Sequence, residues 1–215
     1  MNDPWIQTLL VLLILTDLVM LGSSRVGKCI RVIAAQGVLL AALILALNIN
    51  SLNGHVLLLA FASLFVKTFL FPWILVRAIR RADVDQAVDP LIGFGPSLLI
   101  GALLMPLSLW LGTRLPLPDA LASSLIVPVA LYTMLIGLFL LVSRKKAITQ
   151  VLSYLLLENG ITIFGVALLV KVPLLVELGT LLDLLGAVFV MGIALFNINQ
   201  TFEHIDSSKL SFLKE

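Results

Sequence analysis

Six ionisable residues lie within, or at the edges of, long apolar stretches: Asp17, Arg31, Lys67, Glu158, Glu177 and Asp183. A charge at the centre of a bilayer costs at least about 2.5–3.5 kcal/mol, so each needs a partner or a task. Depth sorts them. On a helical rise of about 1.5 Å per residue, Glu158 falls about 15 Å from Ile148, Lys67 about 16 Å from Val56 and Asp183 about 13 Å from Leu174, the residues where their stretches begin. All three reach mid-membrane. Arg31 and Glu177 sit close to stretch ends, where a long side chain can carry its charge to the interface. Asp17 is intermediate.

Glu158 and Asp183 belong to consecutive antiparallel stretches at matched depth, so they either face one another or flank a common polar path. A carboxyl deprived of water exchanges its proton nearer neutrality than an exposed one, and two close carboxyls titrate as a coupled pair. A lysine at the same level favours the charged form of a neighbouring carboxylate, or gives up its own proton when desolvated. Carboxylates and a lysine at mid-depth, with no metal or cofactor ligands around them, suit a proton relay through Glu158, Asp183 and Lys67. Asp17, Gln36 and Glu177 are further candidates for the polar path, although Arg31 and Glu177 also read as interface anchors. The structural alternative is that these groups hold subunits together through buried ion pairs or hydrogen bonds. For Asp17, one polar contact would suffice.

The elements that must position these residues are membrane helices. The chain has 215 residues, of which 60% are hydrophobic and only 12% charged. Its mean hydropathy is +1.15. A soluble domain carries about a quarter charged residues, so a soluble enzyme, a disordered chain and a nucleic-acid-binding domain are excluded. Cys29 is the only cysteine, which leaves no internal disulfide and no thiolate cluster. His55 and His204 lie outside the apolar stretches and cannot form a mid-membrane haem ligand pair. There is no Gly-rich phosphate loop or nucleophile elbow, so the chain has no catalytic, cofactor-binding or metal site of its own. Met1-Asn2-Asp3-Pro4 lacks the basic region of a secretory signal.

Hydropathy, turn residues and charges predict an all-α, polytopic helical bundle with seven spans: 5–22, 29–47, 56–79, 93–111, 120–142, 148–170 and 174–198. Pro72, Pro106 and Pro128 fall inside spans and are expected to kink them. The loops at alternate ends receive 11 and 2 basic residues respectively, with Lys67 left inside the third span. The positive-inside rule then puts the N-terminus outside and the C-terminus in the cytoplasm. Trp5, Trp73 and Trp110 lie toward span ends as interfacial anchors, and the charged run from Arg77 to Asp89 reads as a solvated cytoplasmic loop. Gly160, Gly165, Gly179, Gly186 and Gly192 would let the last two helices approach closely.

A direct repeat is one way to divide the chain: a three-helix unit over 1–81, a loop and connecting helix over 82–119, a second unit over 120–198, and a tail over 199–215. Each unit crosses a basic turn into a helix carrying polar residues, Gln36-Gly37 in the first and Glu158-Asn159-Gly160 in the second. The plainer alternative is that basic turns follow from the positive-inside rule alone.

The stretch Leu155-Leu156-Leu157-Glu158-Asn159-Gly160, followed by Val176-Glu177-Leu178-Gly179 and Asp183, resembles the hydrogenase-4 component E family. These are membrane subunits of group 4 nickel–iron hydrogenase and formate hydrogenlyase complexes. Phe65-Val66-Lys67-Thr68-Phe69-Leu70-Phe71-Pro72 fits that family's Lys-and-Pro segment in the third helix. The last three spans also look like the NuoK subunit of complex I, whose acidic residues on its second and third helices match Glu158 and Asp183, the latter one methylene shorter than the Glu of that pattern. Gln36 stands where the first unit would carry an acid, with Lys67 as the opposite charge.

The resemblance implies a non-catalytic subunit in a prokaryotic inner membrane. It would join antiporter-like, proton- or sodium-translocating subunits to a hydrogenase module. Nickel–iron and iron–sulfur centres would belong to partner chains. Two other readings stay open: a purely structural adaptor, and an independent secondary transporter, against which the parallel repeat argues.

Overall fold

The computed structural model describes residues 4–47, 65, 67–68, 71–82, 88, 90–115 and 125–168. These form helices α1 (Pro4–Gly22), α2 (Val26–Leu47), α3 (Phe71–Ala82), α4 (Phe94–Arg114), α5 (Ile126–Ser143) and α6 (Ala147–Leu168). Five of them are long and apolar enough to cross a membrane: Pro4–Gly22, Val26–Leu47, Phe94–Arg114, Ile126–Ser143 and Ile148–Ala167. They match the first, second, fourth, fifth and sixth expected spans. α3 is the described end of the third. The expected seventh span over 174–198, with Glu177 and Asp183, lies outside the described residues, as does the tail.

Helix ends differ from the expected ones for identifiable reasons. α2 starts at Val26, before Cys29, because Arg25 already accepts the backbone N–H groups of Lys28 and Cys29 at 3.0 and 3.2 Å. α3 continues through Arg77, Arg80 and Arg81 to Ala82, so half of the run expected as loop is helix. Arginine is a good helix former, and Arg77 lies over the Trp73 ring one turn back, 5.4 Å from its centroid. α5 starts at Ile126 and not Ala120, which places Pro128 in the first turn, where its missing N–H is harmless. Among the described residues only Pro106 is well inside its helix.

The bundle is built by close contact at small residues. A Cβ on Gly137 would come within 2.6 Å of the Leu157 backbone nitrogen, and one on Gly160 within 2.7 Å of that of Met134. α5 and α6 therefore meet backbone to backbone, as membrane helices do when glycine faces the partner. Gly101 seats Leu21 of α1 on α4, and Gly112 seats Pro128. Gly37 of α2 lies against Lys67 and Thr68, with room for a Cβ only 3.1 Å from that of Lys67.

Apolar packing divides into two clusters. One gathers Met20, Leu21, Ile30, Ile33, Ile136, Leu140 and Leu152. The other gathers Ile6, Leu10, Leu13, Leu40, Leu43, Ile126 and Ile163. On α1 the boundary falls around Asp17, on α2 around Gln36, and on α6 around Glu158 and Asn159. The outward faces are apolar as well: Val11, Leu15, Leu103 and Val142 are exposed, and so are Trp5, Trp73 and Trp110 at helix ends. Apolar outside with polar residues inside is what a lipid-embedded bundle requires.

At the α5–α6 turn Arg144, one of the basic residues counted in the loops, is only 3% exposed. Its guanidinium donates to the Leu21 carbonyl at the end of α1 (3.2 Å) and lies over the Phe94 ring (5.4 Å). The Leu91 N–H donates to the Ser143 carbonyl at 2.8 Å, and the Val88 N–H to Ser24 at 2.9 Å. The segment before α4 is thus tied to two helix turns at once. Burial pulls the Arg144 pKa down from its usual value.

Candidate functional site

Between the two apolar clusters lies a layer of polar side chains contributed by α1, α2, the Lys67–Thr68 turn, α5 and α6. Two threonines are oriented for it by their own helices. Thr16 donates back to the Leu13 carbonyl (2.6 Å) and Thr162 to the Glu158 carbonyl (2.9 Å). Both hydroxyl oxygens are then free to accept from neighbouring helices.

The charged centre is an ion pair. Lys67 Nζ stands 2.9 Å from Glu158 Oε1, with the two side chains 3% and 1% exposed. Lys67 Nζ also donates to Asn159 Oδ1 (3.3 Å) and Thr162 Oγ1 (3.1 Å), both on α6. Lys67 and Thr68 lie in a π-helical turn, and Gly37 lets that turn approach α2. A buried pair of this kind is stabilising only when the remaining donors and acceptors are also engaged, and here the α6 side chains engage the ammonium.

From Asn159 the layer continues. Asn159 Nδ2 donates to Gln36 Oε1 (3.1 Å), and Gln36 Nε2 donates to Asp17 Oδ1 (2.7 Å) and to Thr16 Oγ1 (2.9 Å). Thr133 of α5 donates to the other Asp17 oxygen at 2.8 Å. Asp17 and Gln36 are both 0% exposed. Every hydrogen bond from Lys67 through Asn159 and Gln36 to Asp17 therefore points the same way, from cation to carboxylate.

Of the residues expected to do chemistry, the fold brings Lys67 and Glu158 into contact and joins Asp17 and Gln36 to them. Asp17 does more than the single polar contact expected of it, with partners on α2 and α5. Arg31 is exposed and turns its Nε to the Gly27 carbonyl at 3.3 Å, as an end-of-helix residue would. Glu177 and Asp183 fall outside the described residues. Asn159 was noted from sequence beside Glu158 but given no role, and Thr16, Thr133 and Thr162 were not singled out. For Asn159 the signal was present, an amide beside Glu158 in an otherwise apolar helix; for the threonines nothing in the sequence set them apart. Among the described residues no group of three His, Cys, Asp or Glu side chains is placed to hold a metal.

Over 204 residues the chain is 30% identical to uncharacterized protein Rv0085 of Mycobacterium tuberculosis, covering 94% of this chain and 93% of that protein. It is 28% identical to hydrogenase-4 component E of Escherichia coli over 211 residues, 97% of both chains. Hydrogenase-4 component E of Shigella flexneri matches to the same extent, at 28% over 211 residues. No family model and no solved structure matches.

Proposed function

We propose, from the premise that the chain belongs to one family with Rv0085 and is a homologue of hydrogenase-4 component E, that it is a non-catalytic membrane subunit of a hydrogenase-type, complex I-related oxidoreductase. In this reading its mid-membrane lysine and carboxylates form part of the path for coupled proton or sodium-ion translocation. It spans the inner membrane seven times, N-terminus outside and C-terminus cytoplasmic. Its last three helices act as a NuoK-like unit, with Asp183 and Glu177 continuing the path from Glu158. It links antiporter-like subunits to the hydrogenase module, and nickel–iron and iron–sulfur centres reside in partner chains.

The observation that carries this reading is the Lys67–Glu158 pair, 2.9 Å apart and almost wholly buried. A proton moves between Nζ and Oε1 over one hydrogen bond: one N–H breaks as one O–H forms, and both groups are left neutral. In a low-dielectric layer the charged and neutral forms of such a pair lie closer in energy than in water. Glu158→Gln retains the size and the polar contacts and removes the exchangeable carboxyl. Positioned proton-transfer groups contribute about 10²–10⁴-fold to the steps they serve. The variant complex should therefore lose most of its proton translocation per hydrogen turned over, while assembling normally. Normal coupling in a normally assembled complex overturns the relay.

One observation favours the adaptor as a second reading. The ion pair, the amides and the Thr133–Asp17 bond join five parts of one chain, so they also clamp the subunit internally. On that reading the same substitution lowers recovery of the subunit with its complex and leaves the coupling ratio of the assembled fraction unchanged.

A further inference from the structure

The two carboxylates of the polar layer are related to Lys67 in different ways. Glu158 meets the ammonium directly, whereas Asp17 meets it through two amides, Asn159 and Gln36. Amides are poor proton carriers, because the N–H is not acidic and the carbonyl oxygen is hardly basic; each is a donor at one end and an acceptor at the other. This bridge therefore transmits orientation rather than protons.

Its orientation is fixed by the charges at its ends. An ammonium can only donate, so Asn159 must turn its oxygen to Lys67 and its nitrogen to Gln36. Gln36 must then turn its oxygen to Asn159, and its nitrogen falls on Asp17, which as a carboxylate can only accept. The observed contacts follow this sequence at 3.3, 3.1 and 2.7 Å. Reversing both amides satisfies every group only if Asp17 carries a proton and Lys67 has lost one. Thr16 permits the reversal, since its hydroxyl hydrogen can swing from the Leu13 carbonyl to the Gln36 oxygen. A mixed state, with one end changed and the other not, leaves two donors or two acceptors facing each other in a buried site, which is strongly penalised.

We propose that the Gln36–Asn159 amide pair is a two-position coupling device that makes the proton occupancy of Asp17 depend on the charge of Lys67. Its role in translocation rests on the proton-exchange reading of Lys67–Glu158 given above. In operation, a proton delivered from water (as hydronium) binds one Asp17 oxygen, the two amides turn over, and Lys67 Nζ passes a proton to Glu158 Oε1. One O–H of the hydronium breaks, leaving water, as one forms at Asp17, and one N–H breaks at Lys67 as one O–H forms at Glu158. The two ends of the layer then load in step although no proton crosses between them. Both sites bias one bistable element, which is the physical requirement for coupling. Of the titratable groups near Asp17, Tyr132 of α5 interacts with its charge, and Lys67 and Glu158 are the charged groups across the bridge.

The test is infrared difference spectroscopy of the intact complex in lipid, with the Asp17 carboxyl band identified by its loss in Asp17→Asn. Lys67→Gln should raise the ratio of protonated to ionised Asp17 at a given pH by about tenfold, within the usual range of intramolecular coupling. Glu158→Gln, which leaves the lysine's charge undivided, should shift it in the opposite sense and serves if Lys67→Gln fails to assemble. In a Gln36→Leu background both shifts should lose most of their size, because the bridge is cut and only the direct charge–charge interaction is left. An Asp17 band that ignores Lys67 and Glu158, or responds equally with and without Gln36, overturns the proposal. The readout does not use translocation, so it stands or falls separately from the relay.

Discussion

Asn159 holds the middle of the polar layer, accepting from Lys67 with its oxygen and donating to Gln36 with its nitrogen. Asn159→Leu keeps the approximate volume and leaves one donor and one acceptor unpaired in a buried site. Each such group costs about 1–3 kcal/mol, so thermal unfolding in detergent should show a clear loss of stability, well beyond that of a lipid-facing substitution such as Leu103→Ala. Equal loss at the two positions would mean that the amide is not engaged as described. At this scale the sequence was informative about charge and silent about pairing. A rise of about 1.5 Å per residue was enough to put Lys67 and Glu158 at one level. Whether two residues at one level touch depends on helix rotation, and apolar faces on all sides hide rotation from sequence. The same ambiguity left open which residues Asp17 meets; Gln36 and Thr133 converge on it from two helices.

Helices were legible because a bilayer leaves the backbone few alternatives and the apolar runs were long. Their ends were less so. Arginines that look like loop signals extend α3, and Arg144, counted with the basic loop residues, is buried against Leu21 and Phe94. The approach of α5 and α6 gives a prediction specific to this level. A side chain at Gly160 runs into the Met134 backbone, whereas one at Gly165, five residues along the same helix, meets nothing within 4 Å among the described residues. Gly160→Leu should destabilise the chain by about 1–3 kcal/mol or more, and Gly165→Leu, which leaves the α5–α6 contact intact, should cost less. Similar unfolding temperatures for the two variants would contradict the described α5–α6 contact. Glycine content alone had marked both positions equally; only the packing separates them.

For the whole molecule, the account joins a membrane topology to a role in a larger complex. With the basic loops cytoplasmic, Ser24→Cys in the α1–α2 turn should be shielded from a membrane-impermeant thiol reagent in intact cells. Thr113→Cys at the far end of α4 should react; both positions are exposed, so orientation decides the outcome. The reverse pattern would invert the topology. Homology to hydrogenase-4 component E supplies the setting, and the proposed mechanism in it rests on the buried Lys67–Glu158 pair with its amide-linked partner Asp17. The most direct test is the number of protons moved per hydrogen turned over by the intact complex carrying Glu158→Gln, compared with the unaltered complex at equal subunit recovery. The account predicts that hydrogen turnover continues while most of the coupled proton movement is lost. An unchanged ratio, with assembly intact, would contradict it.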